Sequence, residues 1–107
     1  MMVTSQTVSI PDLLQALRDI EDPEIGTDIV ELGLIYSIDV SEGNSIHVAM
    51  TTTTRNCPAS AFIADAVKAK IEGTEGVREA TVDLVYEPLW SPTMIGVSRI
   101  EVTTSRH

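Results

Sequence analysis

The apolar residues of this chain change their spacing partway along, and a fold of helices alone or strands alone cannot use both spacings. Leu13, Leu14, Leu17 and Ile20 recur at i, i+1, i+4 and i+7, which places them on one face of a helix. Pro11 suits the first turn of that helix, where a missing N–H costs nothing, and Asp12 suits its positive end. Asp22-Pro23 ends it, because the residue before a proline avoids the α region. After a connector (DPEIGTDIVELG, 22–33) the period becomes two. Leu34, Tyr36, Ile38 and Val40 face one way, and Ser37 and Asp39 the other. SEGNS (41–45) turns the chain, and Ile46, Val48 and Met50 alternate again, so the two runs read as a β-hairpin.

The β-branched run Thr51–Thr54 leads towards a loop, and Cys57-Pro58 opens a second helix with a buried stripe of Ile63, Ala66, Val67 and Ile71. Gly73 fits the position just past its end. Val82, Leu84 and Tyr86 then alternate with Thr81 and Asp83 as a third strand. The order α-β-β-α-β predicts an α+β fold, a small two-layer α/β sandwich in which two helices cover a three-stranded mixed sheet. If its strands are parallel neighbours, the β–α–β portion forms a right-handed crossover. Residues 1–10 are expected to be a flexible N-terminal segment, 11–95 the folded domain and 96–107 a C-terminal tail.

A length of 107 residues with 43% apolar side chains allows one small folded domain with a real core. Sixteen acidic against seven basic residues leave a net charge of −9. That charge excludes backbone-driven nucleic-acid binding, which needs a basic face, and disfavours anionic membrane surfaces. The excess is concentrated in residues 1–42, which carry nine acids and one base, Arg18. Such a third steers basic partners or serves as a solvated face. A single cysteine rules out an internal disulfide and fits a reducing, cytoplasmic compartment. The start MMVTSQTVS has neither the basic nor the apolar stretch of a signal peptide, and the apolar runs are too short to span a membrane.

Cys57 carries the chemistry most worth weighing. A thiol between a strand and a helix opened by Pro58 sits near first-turn N–H groups and the positive helix end, which favour the thiolate, and Arg55 adds to that. A thiolate is a nucleophile and a soft metal ligand; the competing reading is a cysteine packed as a small hydrophobe. A cysteine hydrolase would need a histidine base, and only His47 and His107 exist. His107 is terminal, and His47 alternates with the core-facing residues of its strand. One cysteine without a CxxC pair cannot hold a private, tightly bound cluster, which takes about four protein ligands. Asp22 and Glu24 bracket Pro23 as oxygen ligands or hydrogen-bonding groups, or as solvated acids of a turn. The hydroxyls of Thr51 and Thr53 suit pleated geometry and could also hydrogen-bond a thiolate or bound anion. Trp90, between Pro88 and Pro92, is a lid over the core's open edge or an anchor for a partner.

The segments DPEIGTDIVELGLIYSIDV (22–40), MTTTTRNCP (50–58) and YEPLWSPTM (86–94) together resemble the iron–sulfur cluster assembly domain family, whose members include SufT-like and PaaD-like accessory proteins. The resemblance implies a small α/β sandwich and a non-catalytic role in cluster assembly or transfer to client metalloproteins. It matches Cys57 to the family's functional cysteine, Asp22, Pro23 and Glu24 to its acidic turn, Thr51 and Thr53 to its threonine-rich strand end, and Trp90 to its Pro-x-Trp-x-Pro aromatic. It implies a transient iron or iron–sulfur cluster at Cys57, and with one thiol per chain such a cluster would be shared with a client or between subunits, for which a homodimer is one arrangement. The partners implied are client iron–sulfur or oxygenase proteins and other assembly factors, with Asp22, Glu24 and Trp90 as contact residues. The alternative is a non-catalytic adaptor for an oxygenase of the phenylacetate-degradation type, with a structural cysteine. Arg55 stands where family members often carry proline, and IGVSRIEVTTSRH does not read like the family's short helical ending.

Overall fold

The computed structural model describes residues 8–23, 25–41, 43–53, 60–87, 89–96 and 100–104. Helix α1 (Ile10–Arg18) starts where the sequence places it. Ser9 is the N-cap, its side chain accepting the Asp12 N–H at 3.3 Å, and Pro11 and Asp12 lie in the first turn. The helix closes at Asp19, before Asp22-Pro23 is reached. Leu13 and Leu17 are fully buried, and Ile20 just beyond the helix continues their face into the core. Val8, within the stretch expected to precede the domain, is buried with them.

The hairpin pairs β1 (Ile35–Ser41) with β2 (Ser45–Met50) in antiparallel register, from Ser41 opposite Ser45 to Ile38 opposite Val48. Gly43 and Asn44 both take positive φ, 82° and 63°, at the reversal, a conformation these residue types adopt at least cost. The simple alternation expected from Leu34 fails at one position. A bulge between Ile35 and Ser37 changes the register, so Ile35 opposite Met50 enters the core and Tyr36 is left half-buried beside it.

Helix α2 (Ser60–Glu72) buries Ile63, Val67 and Ile71 completely, with Ala66 packed at the edge of that stripe. Each of the three contributes about 2 kcal/mol by leaving water. Gly73 follows the helix without the left-handed conformation its position suggested, and Thr74 instead donates its hydroxyl to the Lys70 carbonyl at 3.0 Å. The chain returns as β3 (Glu79–Leu84), parallel to β2 over its whole length, with Ala80 opposite Ile46 and Leu84 opposite Met50. β2, α2 and β3 thus form a unit of two parallel neighbouring strands joined by a helix.

The sheet has four strands and not the expected three, in the order β3-β2-β1-β4. The additional strand β4 (Glu101–Thr104) lies in the segment read as a tail and pairs in parallel with β1, from Ser37 opposite Glu101 to Val40 opposite Thr104. The mixed sheet and the two helices otherwise keep the expected order. Helix α1 packs on α2, and α2 on β3. The core between these layers collects Leu13, Leu17, Ile29, Leu32, Leu34, Ile38, Ile46, Met50, Ile63 and Ile71, all fully buried.

Candidate functional site

Three polar residues among those described are buried, Asp22, Thr51 and Thr52. Burial of polar groups is unfavourable unless each is satisfied, so each of the three marks a built feature. A ladder of main-chain bonds runs from the end of α1 to Thr51. Ile29 donates its N–H to Ile20 O at 3.0 Å, Leu34 to Ile29 O at 3.1 Å, and Thr51 to Leu34 O at 2.8 Å. The connector between α1 and β1 is therefore strung between the end of α1 and the exit of β2.

Asp22 organises the turn at the head of the connector. Its N–H donates to Thr27 O at 3.0 Å, and its carbonyl accepts the Gly26 N–H at 2.7 Å. One carboxylate oxygen, Oδ1, receives the Ile25 N–H at 3.3 Å. Fully buried, the side chain acts on the turn from inside.

A second segment straps the connector down. The Trp90 indole N–H donates to Leu32 O at 2.7 Å, and Gly96 donates its N–H to Glu31 O at 2.8 Å. Between them Pro92–Met94 forms a single 3-10 turn. Met94 lies so close to Gly33, whose φ is +79°, that a Cβ there would come within 2.7 Å of the Met94 carbonyl oxygen. Only glycine satisfies both the backbone angle and that approach. Trp90 is half-buried against the core.

At the exit of β2 the two tyrosines of the chain meet the threonines. The Tyr36 hydroxyl donates to Met94 Sδ at 3.8 Å and also shares a hydrogen bond with the Thr51 side chain. Burial raises the Tyr36 phenol above its ordinary value, and the Thr51 bond opposes that shift without cancelling it. The Tyr86 hydroxyl lies 3.2 Å from Thr52 Oγ1. Thr53 is half-buried at a bend just beyond. Cys57, Arg55, Pro58, Glu24 and Pro88 lie outside the described residues.

Of the residues that sequence reasoning selected, Asp22, Thr51 and Trp90 are joined through the connector. Thr52, Tyr36 and Tyr86 were missed as site residues. The run of four threonines was the signal for Thr52; the bulge that frees Tyr36 leaves no mark in the period-two pattern. His47 stands apart, on the sheet face opposite the core. Its Nδ1 is 2.9 Å from Thr81 Oγ1 and its Nε2 3.2 Å from Asp83 Oδ2. Among the described residues, no group of three or more His, Cys, Asp or Glu side chains is placed to hold a metal ion, and no helix is long and apolar enough to cross a membrane. The parallel strands β2 and β3 end together at Met50 and Leu84, and Val85 just beyond donates its N–H to Met50 O at 2.8 Å. The carboxyl ends of parallel strands are the usual place for a site in sheets with crossover helices.

Comparison with known proteins agrees with this architecture. The chain is 42% identical over 84 residues to a protein of Porphyromonas gingivalis named Fe-S protein maturation auxiliary factor, a match covering 78% of this chain and 80% of that one. It is 38% identical over 80 residues to the Bacillus subtilis Fe-S protein maturation auxiliary factor YitW, covering 75% of this chain and 78% of the relative. A conserved hypothetical protein from Thermotoga maritima superposes with a TM-score of 0.77 at 36% identity, over 88% of this chain and 92% of its own. Residues 11–84 match the family described as iron-sulfur cluster assembly protein, and the chain belongs to that family.

Proposed function

We propose that this protein is a non-catalytic accessory factor in the maturation of iron–sulfur proteins, and that Cys57 takes up iron or a labile cluster as cargo and passes it to a client. The observation that carries this reading is the family match over residues 11–84, a span that includes Cys57, together with relatives named as maturation auxiliary factors. A lone thiolate supplies one of the about four ligands that a cluster takes, so the others come from a second copy, a client or another assembly factor. Cargo held this way is released easily, as a transfer factor requires. The half-buried Thr53 hydroxyl, just beyond β2, hydrogen-bonds the anionic cargo, and buried Thr51 supports that strand exit from inside. Glu24 offers the cargo an oxygen ligand, while buried Asp22 holds the acidic turn in shape for client contact and Trp90 secures the strap. The compartment is the reducing cytoplasm, where a single free thiol persists.

The test is anaerobic reconstitution with ferrous iron and sulfide, read by absorption and Mössbauer spectra, on wild type and Cys57→Ser. The wild type takes up iron and the variant does not, and maturation of an iron–sulfur client falls with the variant. Identical cluster-free spectra combined with normal client maturation by Cys57→Ser would overturn the thiol role and favour an adaptor with a structural cysteine.

A further inference from the structure

The inward side of the strap, residues 89–96, is already occupied. The Trp90 indole N–H goes to Leu32 O at 2.7 Å, Met94 Sδ accepts the Tyr36 hydroxyl at 3.8 Å, and the Met94 carbonyl lies against Gly33. Covering the connector requires no further apolar side chains, yet the strap carries two more. Leu89 is 65% and Ile95 43% exposed. With Ile25 on the connector, they are three of the five exposed large apolar residues among those described. Exposed apolar residues scattered singly need no explanation, whereas several on one feature do.

The strap meets the connector at adjacent residues. Trp90 is fixed to the Leu32 carbonyl, and Gly96 to the Glu31 carbonyl at 2.8 Å. Leu89 precedes the first anchor and Ile95 the second, so both belong to one region of surface. Between them in the chain, Ser91 Oγ and Thr93 Oγ1 lie 2.7 Å apart, and the turn is closed by Met94 N–H to Ser91 O at 2.9 Å and Ile95 N–H to Pro92 O at 3.1 Å. A partner therefore meets these side chains on backbone that is already ordered, which lowers the entropy cost of association.

Charge selects the partner. From 19 to 41 and from 79 to 96 the sequence holds acids and neither lysine nor arginine. Glu31 Oε2 lies 3.3 Å from where a Cβ on Gly96 would stand, next to Ile95 in the chain, and exposed Glu87 is two residues before Leu89. Neither carboxylate belongs to an ion pair among the described residues. In a symmetric pair of copies the same acids would face each other, which opposes self-association through this surface.

We propose that Leu89 and Ile95 are the apolar centre of a docking surface on the strap, rimmed by Glu31 and Glu87, and that it takes a protein segment carrying large aliphatic side chains among lysines or arginines. The surface uses neither Cys57 nor iron, so it is independent of the function proposed above.

The probe is a dye-labelled synthetic helix of leucine and lysine, set against the same helix with alanine in place of every leucine. Binding to metal-free protein is read by fluorescence anisotropy, with a thermal melt of each variant. Wild type is expected to bind the leucine helix about tenfold more tightly than the alanine helix. Leu89→Ser with Ile95→Ser is expected to erase that difference and to leave binding of the alanine helix unchanged. Glu31→Gln with Glu87→Gln is expected to weaken both helices and to flatten their loss of affinity with added salt. A wild type that does not separate the two helices, or a serine variant that separates them as well as wild type does, would overturn the proposal. So would a wild type that sediments as a dimer beside a serine variant that sediments as a monomer, since the surface then holds a second copy. If the double serine variant does not melt cooperatively, Leu89→Ser alone, at the more exposed position, decides by the same comparison.

Discussion

Trp90 places its one polar hydrogen on a carbonyl 58 residues away in sequence, that of Leu32 in the connector. A tryptophan between Pro88 and Pro92 is legible from sequence as a lid or a partner anchor; which carbonyl receives the indole N–H is not, because the partner is nonlocal and backbone. Trp90→Phe keeps most of the apolar cover but leaves the carbonyl of a buried residue without its donor. We expect a loss of about 1 kcal/mol, seen as a lower urea midpoint at unchanged slope. An unchanged midpoint would mean that water replaces the indole without cost. The same contrast holds at Tyr36. Alternation assigns it to the core; one inserted residue gives that place to Ile35 and turns the phenol towards Thr51 and Met94. Asp22 was legible as part of an acidic turn, yet not as a buried residue, since burial depends on Thr27 and Ile25 folding back over it.

At the scale of elements, both helices and the hairpin follow from local signals: Ser9, Pro11 and Asp12 at one start, the Ile63, Val67, Ile71 stripe, and Gly43-Asn44 at the reversal. β4 does not. Its four residues follow a proline-broken stretch, and parallel pairing with β1 joins strands separated by most of the chain. Where elements meet, side chains add to what hydrophobic patterning supplies. Glu72, at the end of α2, accepts from Lys68 Nζ at 3.0 Å and from the Ala80 N–H of β3 at 3.3 Å. The Lys68 bond first, and the Ala80 N–H after it, hold the Glu72 carboxyl below its ordinary value of 4.5. A carboxyl with a depressed folded value stabilises above its unfolded value, and that stabilisation is lost as pH falls through the folded one. Glu72→Gln should therefore melt lower than wild type at about pH 7, and the two melts should converge below about pH 3. A gap that persisted in acid would trace the effect to packing and not to charge.

Across the whole molecule the charge is lopsided, nine acids against one base in residues 1–42 of a chain with net charge −9. Among the described residues, one ion pair reaches out of that third, Asp19 to Lys70 Nζ at 3.3 Å. It is exposed, and exposed pairs of this kind contribute little. The Lys68–Glu72 ion pair and the His47–Asp83 contact lie wholly outside it. Repulsion among the remaining carboxylates thus opposes the compact state and is offset by the shared core, into which the same third sends Leu13, Leu17, Ile29, Leu32, Leu34 and Ile38. Screening separates these contributions, because salt acts on the charges at low and moderate concentration and leaves the apolar contacts in place. Between about 10 mM and 1 M sodium chloride the screening length falls from about 30 Å to about 3 Å. Over that range the urea midpoint should rise with little change in slope, and a variant with Glu21→Gln, Asp28→Asn and Glu31→Gln should start from a higher midpoint and rise less. A wild-type midpoint that fell with salt would assign net attraction to these charges, and the acidic third would then be part of what holds the fold together.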